Sequence, residues 1–154
     1  MRACGARCRW RSTGDLLLEA LVRQTAKTIP VANTGSWETD LNNLLLASFK
    51  RLNTRTAKLL RSLMAESQLD EEFKTKFREV FIQSRRAGVR SILELAVNQG
   101  DLPTRVDRDF IIDLIYGVIW YRLLIGHAAL DERCAKQLVD MVGRFRTAKP
   151  HVID

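Results

Sequence analysis

The sequence predicts an all-α protein with about six helices, whose last two helices pair with those of a second copy as a four-helix bundle. Two observations support this fold class: apolar residues recur at helical spacing, and no segment alternates like a strand. A third concerns residues 108–125, which are apolar on nearly every side. Such a helix must be covered all round, and a chain of 154 residues covers only part of it. A second copy is expected to cover the rest.

Start and stop signals place the first three helices. Ser12, with Asp15 three residues later, opens a helix that ends before Pro30. Ser36 caps a second helix, and Asn53 separates it from a third. The apolar faces of the second and third helices consist of Leu41, Leu44, Leu45, Phe49, Leu52, Ala57, Leu59, Leu60, Leu63 and Met64.

A longer helix begins at Asp70 and ends near Asn98, which makes it about 40 Å long. Its apolar face is predicted to hold Phe73, Phe77, Val80, Phe81, Ser84, Gly88, Ile92 and Leu95. The opposite face carries a basic row of Lys74, Arg78, Arg85, Arg86 and Arg90. A row of this kind usually faces solvent, and only secondarily suggests nucleic acid.

The last two helices are bounded by equally clear signals. Gly100 ends the long helix as a left-handed cap, and Asp107 caps the apolar helix that follows. Asp131 opens the last helix, whose apolar face holds Cys134, Leu138, Met141, Val142 and Phe145. Residues 146–154 are expected to form a frayed tail, so the folded domain is predicted over residues 12–145.

Composition describes a soluble globular protein, with 46% hydrophobic and 28% charged residues. Asp113 and Arg122 interrupt the most apolar run, which is shorter than the roughly 20 residues that a bilayer requires, so no membrane span is expected. Three cysteines do not suggest a disulfide framework, and Cys134 lies on an apolar helix face. A cytoplasmic location is therefore expected.

The net charge of +7 is concentrated at the start of the chain, where Arg2, Arg7, Arg9 and Arg11 supply four positive charges. Residues 1–11 show no helical period and are expected to be disordered. A short arginine cluster is more often a solvated end than a phosphate contact. One alternative stays open, that of a helical adaptor binding nucleic acid non-specifically through this basic N-terminus.

Catalysis finds little support in the sequence. The two histidines, His127 and His151, lie far apart, and no acid pair, nucleophile motif or phosphate loop is present. Cys4 and Cys8 lack partners at zinc-finger spacing. We therefore predict that the protein is not an enzyme and has no cofactor or metal.

Several motifs occur in order between residues 85 and 145. A long helix ends in Gly100-Asp101-Leu102, Asp107 opens the next helix, and Gly117 precedes Tyr121-Arg122-Leu123-Leu124. Leu130-Asp131-Glu132 then opens the last helix. In these features, and in NTGSWETDL at 33–41, the chain resembles the C-terminal regulatory domain of TetR/AcrR-type bacterial transcriptional repressors.

This resemblance implies a homodimeric domain that responds to a small apolar or amphipathic effector. In the family the last two helices form the dimer interface and the other helices enclose the effector pocket. Effector binding shifts the helix matching residues 16–27, which changes the spacing of the two DNA-binding heads.

The resemblance also implies a helix-turn-helix head before the regulatory domain. Trp10 and Ser12 match the end of that head, so residues 1–11 are read as a remnant of the recognition-helix junction. Eleven residues cannot form a helix-turn-helix, so the chain is not expected to bind an operator alone. DNA contact would need a missing head or a full-length partner. Three explanations of the missing head stay open: a truncated product, a mistaken start and a headless regulator.

Two sets of candidate site residues follow. The predicted pocket is lined by Leu45, Phe49, Leu60, Met64, Phe77, Phe81, Tyr116 and Trp120. The predicted dimer interface consists of Ile111, Ile115, Gly117, Val118, Arg122, Ile125, Leu138, Met141, Val142 and Phe145. Each pocket candidate is also compatible with an ordinary core position.

Overall fold

The protein is described by a computed structural model that covers residues 12–26, 33–52 and 54–146. Its elements are α1 (Thr13–Ala26), α2 (Trp37–Arg51), α3 (Thr54–Leu69), α4 (Glu71–Phe77), a π-helical segment (Arg78–Ile82), α5 (Gln83–Asn98), α6 (Arg108–Ile125) and α7 (Glu132–Gly143). The run from α4 to α5 is continuous and counts as one long helix. The described residues contain no strand, and the predicted all-α class with about six helices is confirmed.

Several sequence predictions fall on residues outside those ranges. They concern the basic start at 1–11, the stop at Pro30, His151 and nearly all of the tail at 146–154. In the part of the chain that is described, no helix has both the length and the apolarity needed to cross a bilayer.

The predicted helix caps are confirmed. The carboxylates of Asp70, Asp107 and Asp131 accept hydrogen bonds from the backbone N–H three residues later, at 2.9, 3.1 and 2.9 Å. The Ser36 hydroxyl accepts from the Thr39 N–H at 3.3 Å, and Gly100 has the left-handed φ of +79° predicted for a cap. Each cap satisfies a backbone group that a helix end leaves without a partner.

The chain divides into two compact units. The first unit comprises residues 1–29 and 52–85, and in it α1 packs on α3, α4 and the π-helical segment, while α3 packs on α4. Its core consists of Leu18, Leu21, Ala57, Leu60, Leu63, Phe73, Phe77 and Phe81.

Polar contacts also hold α1 inside the first unit. The Ser12 hydroxyl accepts from the Asp15 N–H at 3.1 Å, which confirms the predicted start of α1, and donates to Glu66 Oε1 at 3.2 Å. A Cβ added at Gly14 would lie 2.1 Å from Glu66 Oε2, so glycine lets this carboxylate approach the helix end. Lys76 Nζ donates to Asp15 Oδ1 at 2.6 Å, and Asp15 is buried.

The second unit comprises residues 30–51 and 86–154, and in it α2 packs on α7. The indole of Trp37 is fully buried, and its Nε1 has no hydrogen-bond acceptor among the described residues. The rest of this core consists of Leu41, Leu45, Phe49, Val89, Ile92, Leu93, Ala96, Leu102, Ile111, Ile112, Ile115, Ile119, Leu123, Cys134, Ala135, Leu138 and Val142.

The π-helical segment changes which residues the long helix buries. The prediction placed Val80 and Ser84 on the apolar face, but Val80 is 40% exposed and Ser84 is also exposed. A π segment adds one residue to a helical turn, so positions four residues apart stay on the same face. Phe73, Phe77 and Phe81 therefore share the buried side. The prediction for Val80 and Ser84 was wrong because it assumed an unbroken 3.6-residue period.

Candidate functional site

The helix α6 has two different apolar faces. Ile111, Ile112, Ile115, Ile119 and Leu123 form one face and are all buried within the chain. The other face carries the outer stripe, which we define as Phe110, Gly117, Tyr121, Leu124 and Ile125, and which is exposed. Its four large side chains are exposed by 55, 60, 44 and 63% in chain order. Exposed apolar residues gathered in this way mark an interaction surface more often than isolated ones do.

Gly117 lies in the middle of the outer stripe. A Cβ built at this position meets no heavy atom within 4 Å, so nothing in the single chain requires a glycine there. Inside a helix, glycine is destabilising by roughly 0.5–1 kcal/mol relative to alanine. The single chain thus leaves open space at Gly117, on the exposed face of α6.

The structure distributes the predicted interface residues over three environments. Ile111, Ile115, Leu138 and Val142 are buried in the core of the chain itself. Val118, Met141 and Phe145 are half-buried, while Gly117 and Ile125 are exposed on the outer stripe. Phe110, Tyr121 and Leu124 are exposed on the same stripe and were not predicted as interface residues, because periodicity alone does not show which side of an all-apolar helix meets its own chain. The interface stays a prediction.

Arg122, another predicted interface residue, has a role within the chain. Its Nη1 donates to the carbonyl oxygen of Ala129 at 2.7 Å, across the turn between α6 and α7. Gly126 ends α6 with a φ of +72° and donates its N–H to the Arg122 carbonyl. The half-buried guanidinium thus finds the acceptor that burial demands and holds this turn in place.

An ionic cluster joins α5 to α6 inside the second unit. Arg86 pairs with Asp109 at 3.0 Å and with Asp113, and Arg90 pairs with Asp109. Hydrogen bonds from Arg86 and then Arg90 hold the pKa of Asp109 below its ordinary value. The hydrogen bond to Asp113 raises the pKa of Arg86, although burial opposes this. The prediction that the basic row is simply solvated is wrong for these two arginines, which are half-buried and paired.

Four of the predicted pocket residues belong to the first unit. Leu60, Phe77 and Phe81 are buried, and Met64 is half-buried. The ring centroids of Phe73 and Phe77 are 6.2 Å apart and those of Phe77 and Phe81 are 5.5 Å apart, with nearly parallel planes. These three phenylalanines form the aromatic stack of the first unit.

The other four belong to the second unit. Leu45 and Phe49 are buried on α2, whereas Tyr116 and Trp120 are half-buried on α6. The sequence assigned all eight residues to one pocket, and that assignment stays a prediction.

Neither the thiol nor the acidic groups of the described residues form an evident reactive centre. Cys134 is a free, buried thiol, and burial raises its pKa, which makes it less reactive than an exposed cysteine. Within the ranges 12–26, 33–52 and 54–146, no group of three or more His, Cys, Asp and Glu side chains could hold a metal ion.

The fold and the surface define an all-α domain with a candidate interaction surface on its penultimate helix. A family profile described as the tetracyclin repressor-like C-terminal domain matches residues 31–142, and the chain belongs to this family. The family consists of transcriptional regulators, not enzymes. The resemblance inferred from residues 85–145 is confirmed.

Curated relatives agree with this assignment. The chain is 29% identical over 130 residues to YdeS, an uncharacterized HTH-type transcriptional regulator of Bacillus subtilis (strain 168), covering 84% of this chain and 66% of YdeS. It is 25% identical over 134 residues to Rv1556, an uncharacterized HTH-type transcriptional regulator of Mycobacterium tuberculosis, covering 87% of this chain and 66% of that relative. The chain therefore spans slightly less than two thirds of the length of these regulators.

A solved structure shows the same fold. The crystal structure of the TetR family transcription regulator SCO0332 matches with a TM-score of 0.79 and 28% sequence identity. The match covers 88% of this chain and 75% of that one.

Proposed function

We propose that this chain is the effector-sensing and homodimerising domain of a TetR-type transcriptional repressor that acts in the cytoplasm. The observation that carries the proposal is the exposed outer stripe of α6, centred on a glycine that the single chain does not require. In this proposal, operator contact belongs to a helix-turn-helix outside residues 31–142.

The outer stripe supports a symmetric dimer for a physical reason. Tyr121 and Leu124 follow Gly117 at steps of four and three residues, and Phe110 lies seven residues before it, so these residues lie in a strip along one side of α6. When two copies place this strip against each other, each apolar side chain leaves water, which is worth about 25 cal/mol per Å². Two copies that pair through the same strip are related by a two-fold axis. Neither copy then has a free strip with which to bind a third.

Light scattering tests the dimer. The wild-type chain is expected to have twice the mass of one chain, and Tyr121→Glu combined with Leu124→Glu is expected to give a folded monomer. Both side chains are exposed, so the core of the chain is left intact. Leu69→Glu is the matched control, because Leu69 is 89% exposed and belongs to the first unit and not to the stripe. A wild-type monomer, or a double variant that still dimerises, would contradict the proposed interface.

The first unit supports effector sensing. Its aromatic stack is a buried cluster of three apolar rings, and α3 adds Leu60 and the adaptable side chain of Met64, which are side chains of the kind that line effector pockets. The same helical run is joined to α1 by the ion pair of Lys76 with Asp15. A displacement of α4 by an effector would therefore be passed to α1, the helix whose shift the family uses to respond.

An uncharged fluorescent probe tests the sensing proposal. N-phenylnaphthylamine is expected to bind the wild-type chain with enhanced emission, and Phe81→Leu is expected to weaken that binding about tenfold. Phe110→Leu is the matched control, since this exposed phenylalanine lies on the outer stripe of α6. Absence of probe binding to the folded wild-type chain would remove the aromatic stack as the sensing site.

A further inference from the structure

The exposed residues of α6 are arranged symmetrically along the helix. Besides the outer stripe, α6 exposes only Asp109 and Asp113. Gly117 is the central one of these seven positions, and the other six lie four, seven and eight residues away on either side. A helix turns by about 100° per residue, so all seven positions lie within about 80° of the direction of Gly117. The stripe and the two aspartates therefore form one face of α6 with its centre at Gly117.

The neighbouring helix α7 offers no comparable apolar surface. Its exposed residues are all polar or charged, namely Glu132, Arg133, Lys136, Gln137 and Asp140. In the described part of the second unit, every large apolar side chain that is exposed belongs to α6. A partner that removes apolar surface of this unit from water would therefore have to cover α6.

The two aspartates decide how a second copy of α6 can lie on this face. Their arginine partners Arg86 and Arg90 belong to α5, so the carboxylates are the charged groups that α6 itself exposes. If the two copies were parallel, Asp113 would meet Asp113 of the other copy, and the same holds for Asp109. Like charges placed together in an interface are unfavourable, so the charges disfavour the parallel arrangement.

An antiparallel crossing at Gly117 gives complementary pairs instead. Each residue then lies opposite the residue at the same distance on the other side of Gly117. Asp113 therefore faces Tyr121 of the second copy, and Phe110 faces Leu124. An acceptor meets a hydroxyl donor and a ring meets an aliphatic side chain, and the two helix dipoles are also antiparallel.

We propose that α6 of a second copy occupies this face in an antiparallel crossing at Gly117, with each Tyr121 hydroxyl donating a hydrogen bond to the Asp113 carboxylate of the other copy. Arg86 already pairs with Asp113, and a carboxylate accepts several hydrogen bonds, so both donors can share it. The absence of a side chain at Gly117 lets the two backbones approach closely where they cross. The assignment rests on the proposed homodimer and adds its orientation, its register and the polar contact that specifies them.

Cross-linking between introduced thiols tests the orientation and the register. Phe110→Cys and Leu124→Cys are each made in a full chain whose Cys4 and Cys8 are replaced by serine. A short bismaleimide should link chains in a mixture of the two variants, because residue 110 of one copy lies beside residue 124 of the other. It should not link either variant alone, since like thiols then lie about 21 Å apart along the helix. The parent chain, which keeps only the buried Cys134, is the blank.

A double-mutant cycle tests the polar contact. Tyr121→Phe removes two hydroxyl groups from each dimer and should raise the Kd of dimerisation at least about tenfold, measured by sedimentation of a dilution series. In an Asp113→Ala chain the same change should have little further effect, because its acceptor is gone. Asp109→Ala is the matched control, since Asp109 belongs to the same arginine cluster but lies opposite Ile125. In that chain Tyr121→Phe should keep its full effect.

The outcomes separate this assignment from the homodimer itself. Light scattering that shows a dimer, combined with links in either variant alone or no link in the mixture, would overturn the antiparallel register and leave the homodimer in place. Additive effects of Tyr121→Phe and Asp113→Ala would overturn the polar contact. A monomeric wild type would overturn the homodimer and this assignment together.

Discussion

The exposed surfaces of α6 and of the helical run from α4 to α5 differ in polarity. The outer stripe of α6 exposes four large apolar side chains, whereas Val80 is the one large apolar residue exposed on the run from Glu71 to Asn98. The run instead exposes carboxylates; Lys74, Lys76, Arg86 and Arg90 pair with acids and Arg85 lies against a ring. A charged surface is well solvated in water, whereas an exposed apolar stripe on an otherwise well-packed helix is typical of an interaction surface. In the proposed function, this difference in polarity separates the sensing unit from the assembly surface.

The largest effect is expected for a charge placed on the buried face of α6. Ile115→Asp should lower the free energy of unfolding by more than about 4 kcal/mol, because Ile115 is fully buried and the carboxylate finds no partner there. Chemical denaturation measures the loss. Leu124→Asp, on the exposed face of the same helix, should cost far less in chain stability while it weakens association. Similar decreases in the free energy of unfolding for the two variants would contradict the distinction between the buried and the exposed face of α6.

A smaller loss is expected at the left-handed end of α5. Gly100→Ala should lower the unfolding free energy by about 1 kcal/mol, because the φ of +79° is strained for any residue with a Cβ. Thermal unfolding monitored by circular dichroism is sufficient to detect this change. Gly143→Ala, on α7 with open space at its Cβ, serves as the control and should not destabilise the chain. An unchanged midpoint for Gly100→Ala would contradict the assigned cap.

The glycine of the outer stripe should give effects of opposite sign on folding and on association. Gly117→Ala is expected to stabilise the chain by roughly 0.5–1 kcal/mol, since the Cβ meets open space and helix propensity rises. The same methyl group should weaken the proposed dimer, in which the two copies of α6 would approach most closely at Gly117. Sedimentation of a dilution series measures the second effect. Tighter association of the variant would argue against close helix packing at this position.

The smallest effect is expected at the ionic cluster between α5 and α6. The arginines hold the pKa of Asp109 low, so its stabilising contribution is complete above the ordinary carboxyl pKa of about 4 and is lost as the pH falls through the lowered value. The midpoint of thermal unfolding should therefore fall slightly less steeply between about pH 6 and about pH 3 in Asp109→Asn than in the wild type. Asp140→Asn, on the exposed side of α7, is the control. Superimposable pH profiles of the wild type and Asp109→Asn would remove the cluster as a source of stability.

Local signals in the sequence were sufficient for the helix boundaries. Asp70, Asp107 and Asp131 each cap a helix as predicted, because capping depends only on residues three positions apart. The order of motifs between Gly100 and Glu132 was also sufficient to recognise the family. These features are short-range, so one sequence contains all the information needed to predict them.

The remaining features depend on packing over longer distances. The π-helical segment at Arg78–Ile82 alters the register of the long helix. The residue types in this segment do not predict the extra residue that a π turn contains. Which side of α6 is covered by its own chain is decided by helices far away in sequence, so Ile115 and Leu124 look alike before folding. For the same reason the sequence predicted solvated charges at Arg86 and Arg90, whereas in the structure these arginines pair with Asp109 and Asp113.

The buried indole of Trp37 makes the second unit visible to spectroscopy without any label. Its ring is removed from water, its Nε1 meets no acceptor among the described residues, and the guanidinium carbon of Arg146 lies 5.7 Å from its centroid. An indole in such surroundings emits at shorter wavelength than one in water, and the emission shifts to the red when the core opens. Trp37 is one of three tryptophans, so a chain with Trp10 and Trp120 replaced by phenylalanine would report the opening of the second-unit core through Trp37 alone.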